Sequence, residues 1–300
     1  MNRPCYVVDA FSERALAGNS AGVVLDADAL STADLQAIAE ELKHAETAFP
    51  LPPREPDASF HLRWFTPFCE VGFCGHATLA ALHVLAAEAQ RIRVPAQGVT
   101  RISFGCKSGV LRAELSREGG RLRARFETPP ARFEPQPLDS GVLASLNLVP
   151  EVLDRRFPPH RSISEEGNLY LCVRDRQVLQ RVRADPAALP GIATRLGVIG
   201  FVPFTFAPAP GVDVALRAIF ADHGVAEDPV TGSASAQLAL LVHRLQPAPV
   251  PRRFIFSQGD EVGRPGRIEI ELRTDPGSDG PRAWLSGSAV TTVRGELIFG

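Results

Sequence analysis

No run in this sequence is long and apolar enough to span a bilayer, and the opening Met1-Asn2-Arg3-Pro4-Cys5-Tyr6-Val7-Val8-Asp9 lacks the extended apolar core of a signal peptide. Neither sign of charge is in excess. The 32 Lys+Arg against 34 Asp+Glu leave a net −2, so nucleic acid and anionic membranes are not expected partners. Cysteines number five (Cys5, Cys69, Cys74, Cys106 and Cys172), an odd count without tight pairing that does not suggest a disulfide framework. The expected setting is the reducing cytoplasm. Gly-x-Gly-x-x-Gly and Gly-x-x-x-x-Gly-Lys-Ser/Thr are both missing, which leaves nucleotide binding without support. Gly-x-Ser-x-Gly is missing too, and Ser286-Gly287-Ser288 reads as a turn. Cys69, Cys74 and His76 match no standard zinc spacing, so no metal and no cofactor are expected.

What is present is ordinary globular composition, 45% hydrophobic and 22% charged over 300 residues, enough for two domains. One stretch organises the rest: Glu70-Val71-Gly72-Phe73-Cys74-Gly75-His76-Ala77-Thr78-Leu79-Ala80-Ala81. An apolar approach runs into Cys74-Gly75, and small helix-tolerant residues follow, as where a helix N-terminus is delivered into a cavity. The first N–H groups of such a helix lack internal partners and suit an anion. A second copy reads Glu227-Asp228-Pro229-Val230-Thr231-Gly232-Ser233-Ala234-Ser235. Gly75 and Gly232 are 157 apart (232 − 75), and so are Gly109 and Gly266 (266 − 109), which lead the similar runs Gly109–Leu115 and Gly266–Leu272. Leu62-Arg63-Trp64 answers Leu216-Arg217-Ala218 with a three-residue slip. Three matches in one order predict two halves of similar structure.

Along the chain, strands are expected at Cys5–Phe11 and Ala21–Leu25, around a turn at Gly18-Asn19-Ser20. A helix capped by Ser31 with Asp34 three residues on follows, burying Leu35, Ile38, Ala39 and Leu42. Further strands are read near Ala45–Pro50, Phe60–Phe65, Thr100–Phe104, Val110–Leu115 and Leu122–Phe126. The alternating Arg121, Arg123 and Arg125 suggest solvated edge charge. A helix is expected from Gly75 to Ala89, and Pro129–Pro137 is read as a donor-poor crossing between domains. The second half predicts helices near Ser140–Leu146, Pro186–Leu196 and Gly232–Leu245. Its strands are expected at Leu169–Arg174, Phe201–Phe206, Val212–Phe220, Phe254–Ser257 and Arg267–Leu272, with two last strands between Trp284 and Ile298. The expected domains are 1–127, completed by 286–300, and 128–285.

Two helix starts facing each other would grip a small anion, most simply a carboxylate. Glu46, set in the apolar run Ala45-Glu46-Thr47-Ala48-Phe49, suits a group that moves protons both ways; the alternative is an exposed edge glutamate. His76 either donates to a substrate oxygen or is a solvated first-turn residue. Asp228 either caps its turn or binds substrate. Cys74 lies where a helix dipole favours a thiolate, yet a two-thiol racemase would need a second cysteine where Thr231 stands, so a buried structural thiol is the plainer reading.

At these residues the sequence resembles the phenazine-biosynthesis-like (PhzF-like) family, related in fold to diaminopimelate epimerase. The matching pieces are Asp9-Ala10-Phe11 with Gly18-Asn19-Ser20, Glu46-Thr47-Ala48-Phe49, Arg63-Trp64-Phe65-Thr66-Pro67, Cys74-Gly75-His76-Ala77-Thr78, Glu227 to Ala234, and Gln258-Gly259 with Gly263-Arg264-Pro265. The resemblance implies an α/β (α+β) chain of two similar domains, each a curved, barrel-like mixed sheet around a central helix, with the active site between them. It implies a cofactor-independent isomerase of a small carboxylic acid, usually a homodimer. Glu46 would be the general acid/base, and His76 and Asp228 would hold and polarise substrate. Cys74, Gly75, Thr231, Gly232 and Ser233 would make contacts from the helix starts. A serine common before the glutamate is Ala45 here, and an aspartate common near the Cys-Gly-His motif is Gly72, which leaves the substrate open. The alternatives are an amino-acid epimerase or racemase of the same fold, or a non-catalytic binding protein.

Overall fold

The computed structural model describes residues 2–164, 167–220, 227–275 and 279–298. In chain order it forms β1 (Asn2–Ala10), β2 (Asn19–Val24), α1 (Thr32–Leu42), β3 (Thr47–Leu51), β4 (Phe60–Phe65), β5 (Glu70–Val71) and α2 (Gly75–His83). A π-helical turn (Val84–Glu88) leads to β6 (Val99–Cys106), β7 (Gly109–Glu118) and β8 (Arg121–Glu127). Then come β9 (Arg132–Pro135), α3 (Ser140–Ser145), β10 (His160–Ile163), β11 (Asn168–Cys172), α4 (Arg176–Arg181) and α5 (Leu189–Leu196). They are followed by β12 (Gly200–Ala209), β13 (Val212–Leu216), β14 (Ile219–Phe220), α6 (Gly232–Leu245), β15 (Arg252–Gln258) and β16 (Gly266–Arg273). The chain closes with β17 (Arg282–Gly287) and β18 (Ala289–Ile298). Two compact units result: Met1–Pro129 with Trp284–Gly300, and Pro130–Ala283. Among the described residues no helix is long and apolar enough to cross a membrane.

Each unit is a mixed sheet, and the two sheets are joined alike. In the first, β1–β2 is antiparallel, β2–β3 parallel, β3–β4 antiparallel, β4–β6 parallel and β6–β7 antiparallel. In the second, β10–β11, β11–β12, β12–β13, β13–β15 and β15–β16 repeat that alternation. Parallel neighbours need a crossover, and helices occupy those places. They are α1 and α2 in the first unit, and α4–α5 and α6 in the second.

The first sheet curls around α2, which packs against β1, β2, β3, β8 and β18. Every residue from Gly75 to Leu82 is buried, as a helix surrounded by strands requires, and the alanines keep it slim. In the second unit α6 packs on β16. On its other side Gln237 accepts bonds from Ser162 of β10 and from Asn168 and Tyr170 of β11. The amphipathic α1 stays outside, pressing Leu35, Ile38 and Ala39 onto Val24, Phe49 and Phe65. Its capping box is formed by Ser31 and Asp34.

Several local expectations are corrected. The helix after Gly75 does not run regularly to Ala89; it widens into the π turn at Val84. The proline-rich crossing contains β9, paired with β10 through residues whose partners do not require the missing donors. The single strand expected over Val212–Phe220 breaks at Arg217-Ala218, so that β13 and β14 both pair with β12. β8 is not an edge, being paired with β7 and with β17. Its arginines lie against carboxylates: Arg121 on Glu13, Arg123 on Glu118 and Arg125 on Glu114.

Candidate active site

Glu46 sits just ahead of β3, held by its own carbonyl, which accepts the Gly22 N–H at 3.1 Å. The parallel pairing of Gly22 with Thr47 fixes this approach. A side chain on Gly22 would stand 2.8 Å from Thr47 Oγ1, so glycine lets the two strands close. Cys74 is the extended N-cap of α2 and makes no side-chain cap bond, while Thr78 returns its hydroxyl to the Cys74 carbonyl at 2.6 Å. His76 is thereby presented from the first turn, 4% exposed.

These residues meet. His76 Nε2 lies 3.1 Å from Glu46 Oε2, and its Nδ1 lies 3.4 Å from Cys74 Sγ and 3.1 Å from Asn19 Nδ2. The Asn19 amide engages Nδ1, which leaves Nε2 as the ring nitrogen set beside the carboxylate. The glutamate side chain keeps 19% exposure against 5% for the histidine, so the carboxylate is the group within reach of a ligand. Donor atoms of Glu46, Cys74 and His76 all lie within 4.8 Å of one another, a spacing from which a soft cation could also be gripped. Asn19, 2% exposed, was not singled out as a site residue; in the sequence it stood only within the Gly18-Asn19-Ser20 turn that the family resemblance includes.

The second unit builds a similar start from other residues. Thr231 is the extended N-cap of α6, again without a side-chain cap bond, and Ser235 returns its hydroxyl to the Thr231 carbonyl at 2.8 Å. Asp228, 9% exposed, takes the Thr231 hydroxyl on Oδ2 at 2.5 Å. Gly232 is buried and Ser233 half-buried at the first turn. Gln258 packs beneath this run and was not a predicted site residue.

The same brace stands ahead of both helices. Arg63 binds Glu70 through Nε and Nη2 at 2.7 and 2.8 Å; Arg217 binds Glu227 through the same two nitrogens at 2.7 and 2.5 Å. Each glutamate is four residues before its N-cap, and the two are again 157 apart (227 − 70). The Arg63 guanidinium holds the Glu70 carboxyl below its usual range, with Lys107 and Arg54 adding to the effect. Glu46, Cys74, Gly75 and His76 thus form one group in the first unit, and Asp228, Thr231, Gly232 and Ser233 another in the second.

The model of a family described as phenazine biosynthesis-like protein matches residues 8–295. The uncharacterized isomerase YddE of Salmonella typhimurium is 32% identical over 302 residues, covering 99% of this chain and 98% of that protein. Among solved structures, a phenazine biosynthesis protein of the PhzF family from Bacillus anthracis superposes with a TM-score of 0.87 at 24% identity, over 100% of both chains. A predicted epimerase from Pseudomonas aeruginosa gives 0.79 at 27% identity, over 99% of this chain and 100% of that one.

Proposed function

This chain belongs to the phenazine biosynthesis-like family, and from that membership we propose that it is an isomerase that moves a proton on a small carboxylic acid without a cofactor. The observation that carries the reading is the Glu46–His76 pair at 3.1 Å beside the start of α2. Glu46 takes a proton from a carbon activated by the substrate's carboxylate or an adjacent double bond, and the electron pair moves into the conjugated system. The same carboxyl then returns the proton to a different carbon, so the enzyme ends unchanged and the double bond has migrated. His76, with Nε2 beside Glu46, keeps the carboxylate in place. The Gly75 end of α2 supports the negative charge that develops on the substrate. Asp228, Thr231, Gly232 and Ser233 keep the role the resemblance implies, holding substrate, and Cys74 contacts it beside His76.

The test is solvent exchange. The protein in deuterium oxide is offered a panel of small unsaturated and amino carboxylic acids, and incorporation is read by mass spectrometry. Wild type is expected to label at least one acid, and Glu46→Gln to label none. Undiminished labelling by Glu46→Gln would remove Glu46 from the mechanism. A second reading, epimerisation of an amino acid, is favoured by the name of the Pseudomonas aeruginosa neighbour. Inversion at one labelled carbon, with no shift of a double bond, separates the two.

A further inference from the structure

Threonine is a good helix N-cap because its hydroxyl oxygen accepts an N–H from the first turn. At the start of α6 Thr231 occupies that position and does not perform that task. Its hydroxyl is turned to Asp228 instead, and a second side chain meets it there.

Gln258 ends β15 and is 2% exposed. Its Oε1 accepts the Thr231 N–H at 2.8 Å. Its Nε2 donates to the Asp228 carbonyl at 2.7 Å and to Thr231 Oγ1 at 3.0 Å. The amide orientation follows from its backbone partners, since an N–H only donates and a carbonyl only accepts. Because Thr231 Oγ1 accepts from Nε2, its own hydrogen goes to Asp228 Oδ2 at 2.5 Å. One carboxamide therefore fixes three bonds and the polarity of a fourth. The backbone is pressed against this clamp: at Gly259, φ +91°, a side chain would stand 2.6 Å from the Pro229 carbonyl, and Gly266 lies directly against Val230. In the first unit the turn after β6 also reaches the approach to its helix, through the Ser108 hydroxyl on the Gly72 carbonyl at 3.2 Å.

The geometry points to Gln258 as a positioning residue: it diverts the Thr231 hydroxyl from capping α6 to Asp228, so that the first turn stays available to a substrate anion and Asp228 is held in one orientation. This deepens the reading above, in which that helix start holds substrate. Glutamate at 258 has the same shape but no donor. It would still take the Thr231 N–H, yet it would present an acceptor to the Asp228 carbonyl and to Thr231 Oγ1 and draw the hydroxyl hydrogen to itself. Leucine at 258 removes every bond and frees Thr231 to cap Ser233 or Ala234.

The experiment is NMR of the full chain, with the Thr231 hydroxyl proton assigned by its loss in Thr231→Val. In wild type and Thr231→Ser the hydroxyl at 231 is expected to exchange slowly with water. In Gln258→Glu its chemical shift should move, as its acceptor changes from Asp228 to the carboxylate at 258. In Gln258→Leu the Ser233 or Ala234 amide should become better protected than in wild type, whereas a residue that only packed would lower protection throughout. Should the Gln258 variants not fold, Thr231→Val decides alone: only one of the two Gln258 Nε2 protons should shift, the one that faced Oγ1. An unchanged Thr231 hydroxyl in Gln258→Glu, unchanged or lower first-turn protection in folded Gln258→Leu, or an unmoved Gln258 amide pair in Thr231→Val overturns the assignment. None of these readings requires turnover, so the result is separable from the fate of the isomerase reading.

Discussion

His76 Nε2 and Glu46 Oε2 stand 3.1 Å apart, while the other ring nitrogen is engaged by Asn19 and Cys74. The imidazole is thus gripped on one side and sets its other nitrogen against the carboxylate. A carboxylate that must give up and recover a proton works best from a fixed position, and packing against the ring restricts it.

His76→Ala should therefore lower deuterium incorporation about 10²-fold or more on any acid that wild type labels. Asn19→Ala leaves the ring in place but loosens it, so a smaller loss is expected. Both are read by the same mass-spectrometric exchange. Full exchange in His76→Ala would take the histidine out of the proton path.

The cysteines should react in an order set by burial. Burial pushes the Cys172 thiol up to about 12 and that of Cys106 up to about 11, while Cys69 is exposed. At pH 8 a disulfide reagent should label Cys69 first, leaving Cys106 and Cys172 unmodified until the chain is unfolded. Peptide mapping after a short pulse checks this, and early labelling of Cys172 contradicts it.

Arg217 is the more deeply set of the two bracing arginines. Besides Glu227 it donates to the Leu179 and Val182 carbonyls at 3.1 and 2.8 Å, and it is 6% exposed. Arg217→Met leaves a carboxylate and two carbonyls without that partner, and a loss of about 3–5 kcal/mol is expected. Arg217→Lys should not restore it, since one ammonium cannot reproduce the fork. Arg63→Met, at a more open pair, should cost less. Urea unfolding midpoints measure all three.

Acid should loosen the joint between α2 and β18. Burial disfavours charge on Glu88, but the Arg294 guanidinium and the Thr291 hydroxyl, each at 2.7 Å, outweigh it and hold the carboxyl below its ordinary 4.5. His83, 3.8 Å away, is pushed below its ordinary 6.5, chiefly by burial. Both groups then bind protons more readily in the unfolded chain. Stability is full above pH 6.5 and falls as the pH drops through 6.5 and on below 4.5. Below pH 4.5, where Glu88 itself takes up its proton, melting temperatures should fall less steeply in Glu88→Gln than in wild type.

The capping box at Ser31, the two Gly-led helices and the twin halves were legible because each is written in neighbouring residues or in a fixed offset. The brace of Arg63 on Glu70 was half visible: the repeat marked the arginines, but nothing local tied them to Glu70 and Glu227. β5 and β10 were invisible, since two and four residues carry too little periodicity to register. The break at Arg217-Ala218 was hidden for another reason. Arg217 interrupts an otherwise strand-like run because its guanidinium bonds residues 35 and 38 positions earlier in the chain.

By itself, the sequence determined which backbone N–H groups would be left over at two helix starts, because glycine and small residues after an extended N-cap act within a few positions. Only the tertiary structure decided that Glu46, Asn19 and Cys74 would converge on His76, and that Gln258 would turn the Thr231 hydroxyl away from its own helix. Those contacts span from 2 to 57 residues of chain, and most depend on strand pairings and crossovers that no local pattern encodes.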